Sequence, residues 1–191
     1  LTTLALPAIE LTLRRRLASG RENGARIGER RGHPGLPRPK GPLVWVHAAS
    51  IGEALSVMRL IERLLGYYPA LNILITTGTV TSAELLAGQL PDRAIHQFVP
   101  IDRPAWVRRF LDHWRPDAAF WVESEIWPNL VFMSQARAIP MVLLNARMSP
   151  RSFSRWRRMP GPIAKLLRGF TLAMAQDEVE AGQPRALGAD P

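Results

Sequence analysis

From Leu43 onward, short unbroken apolar runs alternate with longer stretches in which apolar positions recur every three or four residues. The first pattern belongs to strands buried on both faces and the second to amphipathic helices. Leu43–His47, Asn72–Thr76, Ala94–Val99, Ala118–Val122, Met141–Leu144 and Leu172–Ala175 are read as strands. One helix is predicted over about Glu53–Leu65, with Ala54, Val57, Met58, Ile61, Leu64 and Leu65 on one face and Gly66 as its stop. Others are predicted over Val80–Leu90, from an Asp102 cap with Pro104 in the first turn to His113 or Trp114, and over Pro128–Arg137, Ile163–Arg168 and Glu178–Leu187. Strand and helix alternating through short joints predict a parallel sheet with helices on its faces, over residues 43–191.

Residues 1–42 break that pattern. Leu1–Leu13 is apolar but carries Pro7 and Glu10 and is shorter than the ~20 residues a spanning helix needs. It reads as a helix packing on its own domain, an amphipathic surface helix or the tail of an upstream anchor. Gly20–Pro42 is dense in Gly, Pro and Arg, and no regular element is predicted there. Arg26, Gly28, Arg30 and Gly32 either bring guanidinium groups to an anion or form a solvated linker.

At 191 residues and 47% apolar, the chain can bury one core. With no cysteine and four scattered histidines, thiolate chemistry is excluded and a metal site is not expected. The net charge of +9 is clustered at Arg14–Arg16, at Arg26, Arg30 and Arg31, and at Arg151, Arg155, Arg157 and Arg158. Clustering points to an anionic partner (phosphates, nucleic acid or an acidic membrane leaflet), set against a merely Arg-rich surface. Phe153 and Trp156 among the last cluster suit a membrane interface, or else a solvated loop.

In a parallel sheet the strand exits share one edge, where ligands bind. The polar residues falling there are Ser50 and Glu53; Thr76, Thr77 and Thr79; Asp102; Glu123 and Glu125; Asn145, Arg147 and Ser149; Gln176 and Asp177. Thr79, Asp102 and Asp177 also read simply as helix caps. Glu53, in the first helical turn after the small-residue bend Ala48–Gly52, is kept ionised by the exposed N–H groups and can act as a general base; otherwise it only complements the helix dipole. Glu123 and Glu125 stand two apart beside Trp127 and Pro128, one predicted to enter the cleft and the other to hold structure. Ser50 lacks a GxSxG elbow and a later histidine to activate it, and no Gly-rich phosphate loop follows any strand.

HAASIGE (47–53), TTGTVTS (76–82), VPID (99–102), ESEIWPNL (123–130), LNARMSPRS (144–152) and LGA (187–189) together resemble the N-terminal half of the bacterial Kdo transferases, which move 3-deoxy-D-manno-octulosonic acid (Kdo) from CMP-Kdo to a lipid A precursor. The resemblance implies the acceptor-side, Rossmann-like half of an inverting GT-B glycosyltransferase of lipopolysaccharide biosynthesis, needing no metal or cofactor. It carries the catalytic base to Glu53, with Glu123 and Glu125 as further carboxylates. Ser50, Gly52, Thr77, Trp127, Asn145, Arg147, Ser149 and Arg151 shape the acceptor side in that reading, and Arg155, Trp156, Arg157 and Arg158 meet phosphate or membrane. The implied partners are a phosphorylated lipid A precursor, CMP-Kdo and an anionic membrane surface, with no nucleic acid. The implied location is the cytoplasmic face of the inner membrane, peripheral or anchored upstream. Measured against that pattern, the donor domain is read as absent and the membrane-proximal segment as cut, so that the chain alone is expected to turn over poorly. The rival readings are a basic nucleic-acid-binding α/β module and a GT-B enzyme with another acceptor.

Overall fold

Backbone pairing in the computed structural model, which describes residues 6–123, 127–146, 153–154, 156–158, 160–175 and 182, joins six strands into one wholly parallel sheet. These are β1 (Leu43–His47), β2 (Asn72–Thr77), β3 (Ala94–Phe98), β4 (Ala118–Val122), β5 (Met141–Leu144) and β6 (Leu172–Met174), in spatial order β3-β2-β1-β4-β5-β6. That order is Rossmann-like: the winding reverses between β1 and β4, and a crevice opens where their carboxyl ends part.

Alternation along the strands feeds two cores. Trp45, Leu74, Trp121 and Leu143 point to one face, packed by α6 (Pro104–Trp114), α7 (Pro128–Gln135) and α8 (Pro160–Leu167). Val46, Ile73, Ile75 and Val122 point to the other, packed by α3 (Ile51–Ser56), α4 (Met58–Tyr67) and α5 (Val80–Ala87). Both faces being covered is why the strand runs are continuously apolar. Under the crevice, Trp45 meets Phe110 at 5.1 Å and Trp121 at 5.3 Å, and His47 meets Trp121 at 4.9 Å between ring centroids.

Three expectations need correction. The helix predicted over Glu53–Leu65 is two helices, broken at Val57, where the Ser56 hydroxyl donates to the Glu53 carbonyl at 2.7 Å and competes with the helical ladder. Asp102 does not cap α6, whose N-cap is Arg103 without a side-chain bond. Instead its carboxylate accepts from the Asn129 N–H at 3.0 Å and the Leu130 N–H at 2.9 Å, and so caps α7 from a distance.

The third correction concerns Gly20–Pro42, which is not an irregular solvated linker. It forms a 3-10 turn over Gly24–Arg26, capped by the Asn23 side chain, and the short helix α2 (Ile27–Arg30). Glu22, Glu29 and Arg30 in it are buried. Arg30 donates to both carboxylate oxygens of Glu22 and to the carbonyls of Val99 and Gly78. Arg26 donates to Glu29, whose other contact is the Phe98 N–H at 2.7 Å, and both guanidinium groups lie over the Phe98 ring at 4.6 and 5.0 Å. Residues 22–31 therefore strap down the carboxyl end of β3, and Arg26 and Arg30 are engaged within the protein. Gly32, at φ 77°, lies where a Cβ would stand 2.0 Å from the Trp106 carbonyl oxygen, so only glycine lets the strap close on α6.

The first helix, α1 (Leu6–Ala18), is attached differently: Leu13 is its one buried residue, and ion pairs join Glu10 to Arg31 at 2.7 Å and Arg16 to Glu22 at 2.8 Å. No helix among the described residues is long and apolar enough to cross a membrane.

Candidate active site

The β1 exit is built by reciprocal capping. Ser50, in extended conformation, is the N-cap of α3 and accepts the Glu53 N–H at 3.3 Å, while the Glu53 carboxylate reaches back to accept the Ala49 N–H at 2.8 Å. This is the Ser-x-x-Glu capping box, shifted by one residue on the return bond. Its consequence is position: Glu53 is 8% exposed, fixed over the bend at the reversal of the sheet, while Ser50 and Gly52 stay exposed beside it. A carboxylate so held loses little conformational entropy when it engages a substrate hydroxyl.

Across the crevice, the β4 exit is Glu123, half-buried and in the left-handed region at φ 57°, its N–H donating to the Leu144 carbonyl. The next exit, Asn145 after β5, is also half-buried and left-handed at φ 56°. Asn accepts that conformation readily, whereas for Glu it costs about 1–2 kcal/mol, and such outliers gather at functional sites. Trp127 is the N-cap of α7, and its half-buried indole rests against the α6–α8 core. Asp102 holds that turn: besides the two backbone bonds, its carboxylate and its carbonyl accept the Asn129 amide at 3.0 and 2.7 Å. Burial pushes the Asp102 carboxyl above its ordinary value against the pull of these bonds.

Other predicted site residues fall elsewhere. Thr77 is buried at the end of β2, its hydroxyl 2.9 Å from His96 Nε2. His96 is held neutral, its pKa pushed down to about 3 by burial and by the neighbouring charges of Arg26 and Arg30. His47, sealed within the aromatic cluster, is pushed down to about 4 by burial. Thr79 caps α5 as predicted, accepting the Ser82 N–H at 3.2 Å. Trp156 is half-buried against the α6–α8 core, while Arg157 and Arg158 are exposed. Glu125, Arg147, Ser149, Arg151 and Arg155 lie outside the described residues, as do Gln176, Asp177 and, apart from Gly182, the predicted helix Glu178–Leu187.

The structure thus brings Ser50, Gly52, Glu53, Glu123, Trp127 and Asn145 to neighbouring strand exits, while Thr77, on the strand beside β1, is buried against His96. Sequence reasoning missed the capping box, which the Ser-x-x-Glu spacing could have revealed, and the Asp102 clasp, for which no local signal exists because its partners are 27 and 28 residues away.

Residues 25–191 match the family model described as 3-deoxy-D-manno-octulosonic-acid transferase (kdotransferase). A Rickettsia bellii 3-deoxy-D-manno-octulosonic acid transferase is 32% identical over 188 residues, 98% of this chain and 45% of that protein. A "Probable 3-deoxy-D-manno-octulosonic acid transferase, mitochondrial" of Arabidopsis thaliana is 45% identical over 150 residues, 78% of this chain and 34% of its own length. The Haemophilus influenzae transferase of the same name is 34% identical over 166 residues, 85% and 38% of the two chains. The chain spans less than half the length of each of these relatives.

Proposed function

The chain belongs to the 3-deoxy-D-manno-octulosonic acid transferase family, and from that premise we propose that it forms the acceptor-side half of a GT-B enzyme that transfers Kdo from CMP-Kdo to a phosphorylated lipid A precursor in lipopolysaccharide biosynthesis. The single observation carrying the reading is Glu53, a buried carboxylate locked by the Ala49 N–H at the point where the winding of the sheet reverses.

In this mechanism Glu53 takes the proton from an acceptor hydroxyl as that oxygen bonds to the anomeric carbon of Kdo; the bond from that carbon to the CMP phosphate breaks, inverting the centre, and CMP leaves with the electron pair. The rigid bend supplies orientation, since neither Ala49 nor Glu53 need reorganise during transfer. CMP-Kdo is held mainly by protein outside this chain, and no cofactor takes part. Exposed arginines meet acceptor phosphates and anionic lipid at the cytoplasmic face of the inner membrane.

The test is Glu53→Gln in the full-length enzyme. Glutamine retains an oxygen to accept the Ala49 N–H, so the bend persists while the base is removed. The expected result is a fall in kcat of about 10²–10⁴-fold with an unchanged melting temperature. Transfer at the wild-type rate would remove Glu53 from the mechanism.

A further inference from the structure

α1 is a helix of 13 residues with one buried side chain, tied to the strap through Glu10 and Arg16. Beneath it lies a cavity of about 410 Å³. Its walls are Ala8, Ile9 and Leu13 from α1, Val99 and Ile101 from the β3 exit, and Trp127 from the turn that Asp102 clasps. One side is polar: Arg16 and Arg30 share the buried carboxylate of Glu22. Size, apolar lining and a few convergent polar groups are the attributes of a ligand pocket.

We propose that this groove seats an acyl chain of the phosphorylated lipid acceptor, with the phosphate end at Arg16. Two guanidinium groups on one carboxylate leave a net positive charge. The Arg30 donors are directed at Glu22, Val99 and Gly78, whereas the Arg16 side chain is 38% exposed. Arg14 and Arg15 are exposed on the same helix. Residues 6–31, which hold α1 and the strap, carry seven cations against three carboxylates, an excess of four positive charges around the groove. The complement of such a surface is an anion with an apolar body. The polar side of the groove also reaches Gly78, whose carbonyl accepts from Arg30 and whose N–H donates to the Ala49 carbonyl, so the head end of a chain seated there lies beside the bend that carries the proposed base.

The inference rests on the lipid-acceptor reading for the source of the chain, and its test reads binding to this 191-residue chain rather than transfer, so that either can fail alone. Calorimetric titration below the critical micelle concentration should show octyl phosphate and decyl phosphate binding saturably, with affinity rising about fourfold per methylene. Decyl maltoside, with the same chain and a neutral head, should bind at least tenfold more weakly than decyl phosphate, and inorganic phosphate should not saturate. Ala8→Trp, which fills the groove from α1, should weaken decyl phosphate at least tenfold; Thr12→Trp does the same from the next turn should the first variant fold poorly. Arg16→Gln should abolish the preference for phosphate over maltoside. Decyl phosphate binding that ignores chain length, that survives both tryptophan variants, or that inorganic phosphate displaces would overturn the proposal.

Discussion

Over β2 and β3, the polar residues at the carboxyl edge of the sheet are consumed in contacts with one another: Thr77 with His96, Arg26 with Glu29 and His96, and Arg30 with Glu22. Over β1, β4 and β5, the same edge holds a carboxylate locked by a backbone N–H and two left-handed residues, Glu123 and Asn145. The residue types hardly differ between the halves. What differs is the cover: the strap of residues 22–31 closes one half with compensating charges, and no described element closes the other. A polar residue at a strand exit is thus a poor candidate for chemistry where a strap from elsewhere in the chain consumes it, as it does Thr77 through His96.

Removing the compensation in the closed half should have the largest effect on folding. Glu22→Ala leaves Arg30 buried without its partner and is expected to destabilise by about 3–5 kcal/mol in urea unfolding. Replacing the pair together, Glu22→Leu with Arg30→Met, should recover most of that loss, because the cost lies in the orphaned charge. A double variant as unstable as the single one would show that the strap works through its shape instead.

Acid separates the halves next. His47 and His96 have folded pKa values of about 4 and about 3, below the ordinary 6.5. Between those limits the unfolded chain binds more protons, so their stabilising contribution is complete above pH 6.5 and is lost as pH falls through the folded values. For fully buried His47 the loss is on the order of 3 kcal/mol. Asp102, raised by burial, acts in the opposite sense as it takes up its proton. Tryptophan fluorescence around Trp45 and Trp121 should report the protonation of His47, and the ordering of the strap that of His96. His47→Gln should flatten the slope of stability between pH 6.5 and 4; an unchanged slope would place the acid sensitivity elsewhere.

The Asp102 clasp bears on the open half alone. Asp102→Ala leaves two N–H groups of α7 without their acceptor, an expected loss of about 1–3 kcal/mol. In the full-length enzyme the same change should raise KM for the acceptor more than it lowers kcat, since Trp127 moves while Glu53 stays. Asp102→Asn, retaining one acceptor oxygen, should recover part of both.

Much of this was readable in the chain. β1, β4 and β5 begin and end where continuous apolar runs predict, because inner strands covered on both faces carry no polar alternation, and β2, β3 and β6 differ by one residue. The motif HAASIGE located the Glu53 bend. The strap was not readable: Gly, Pro and Arg describe a loop by propensity, and the hydrogen bonds that anchor its charged side chains go to backbone groups of His96, Phe98 and Val99 about 70 positions away. Asp102 misleads for the same reason, since the local rule assigns it to the helix that follows it while tertiary contact gives it to α7.

The finest discrimination comes from two caps of identical chemistry on opposite sides of the boundary. Ser50 accepts the Glu53 N–H on α3, and Thr79 accepts the Ser82 N–H on α5. Removing either hydroxyl should cost about 1 kcal/mol of stability. In the full-length enzyme only Ser50→Ala should also lower kcat, because the hydroxyl it removes fixes the residue that carries the base, whereas Thr79 fixes a helix whose neighbours are already satisfied. Thermal melts should therefore be unable to tell the two variants apart while steady-state kinetics separates them. Equal losses of kcat would mean that the two halves of the edge act as one unit and that the strap contributes to the chemistry directly.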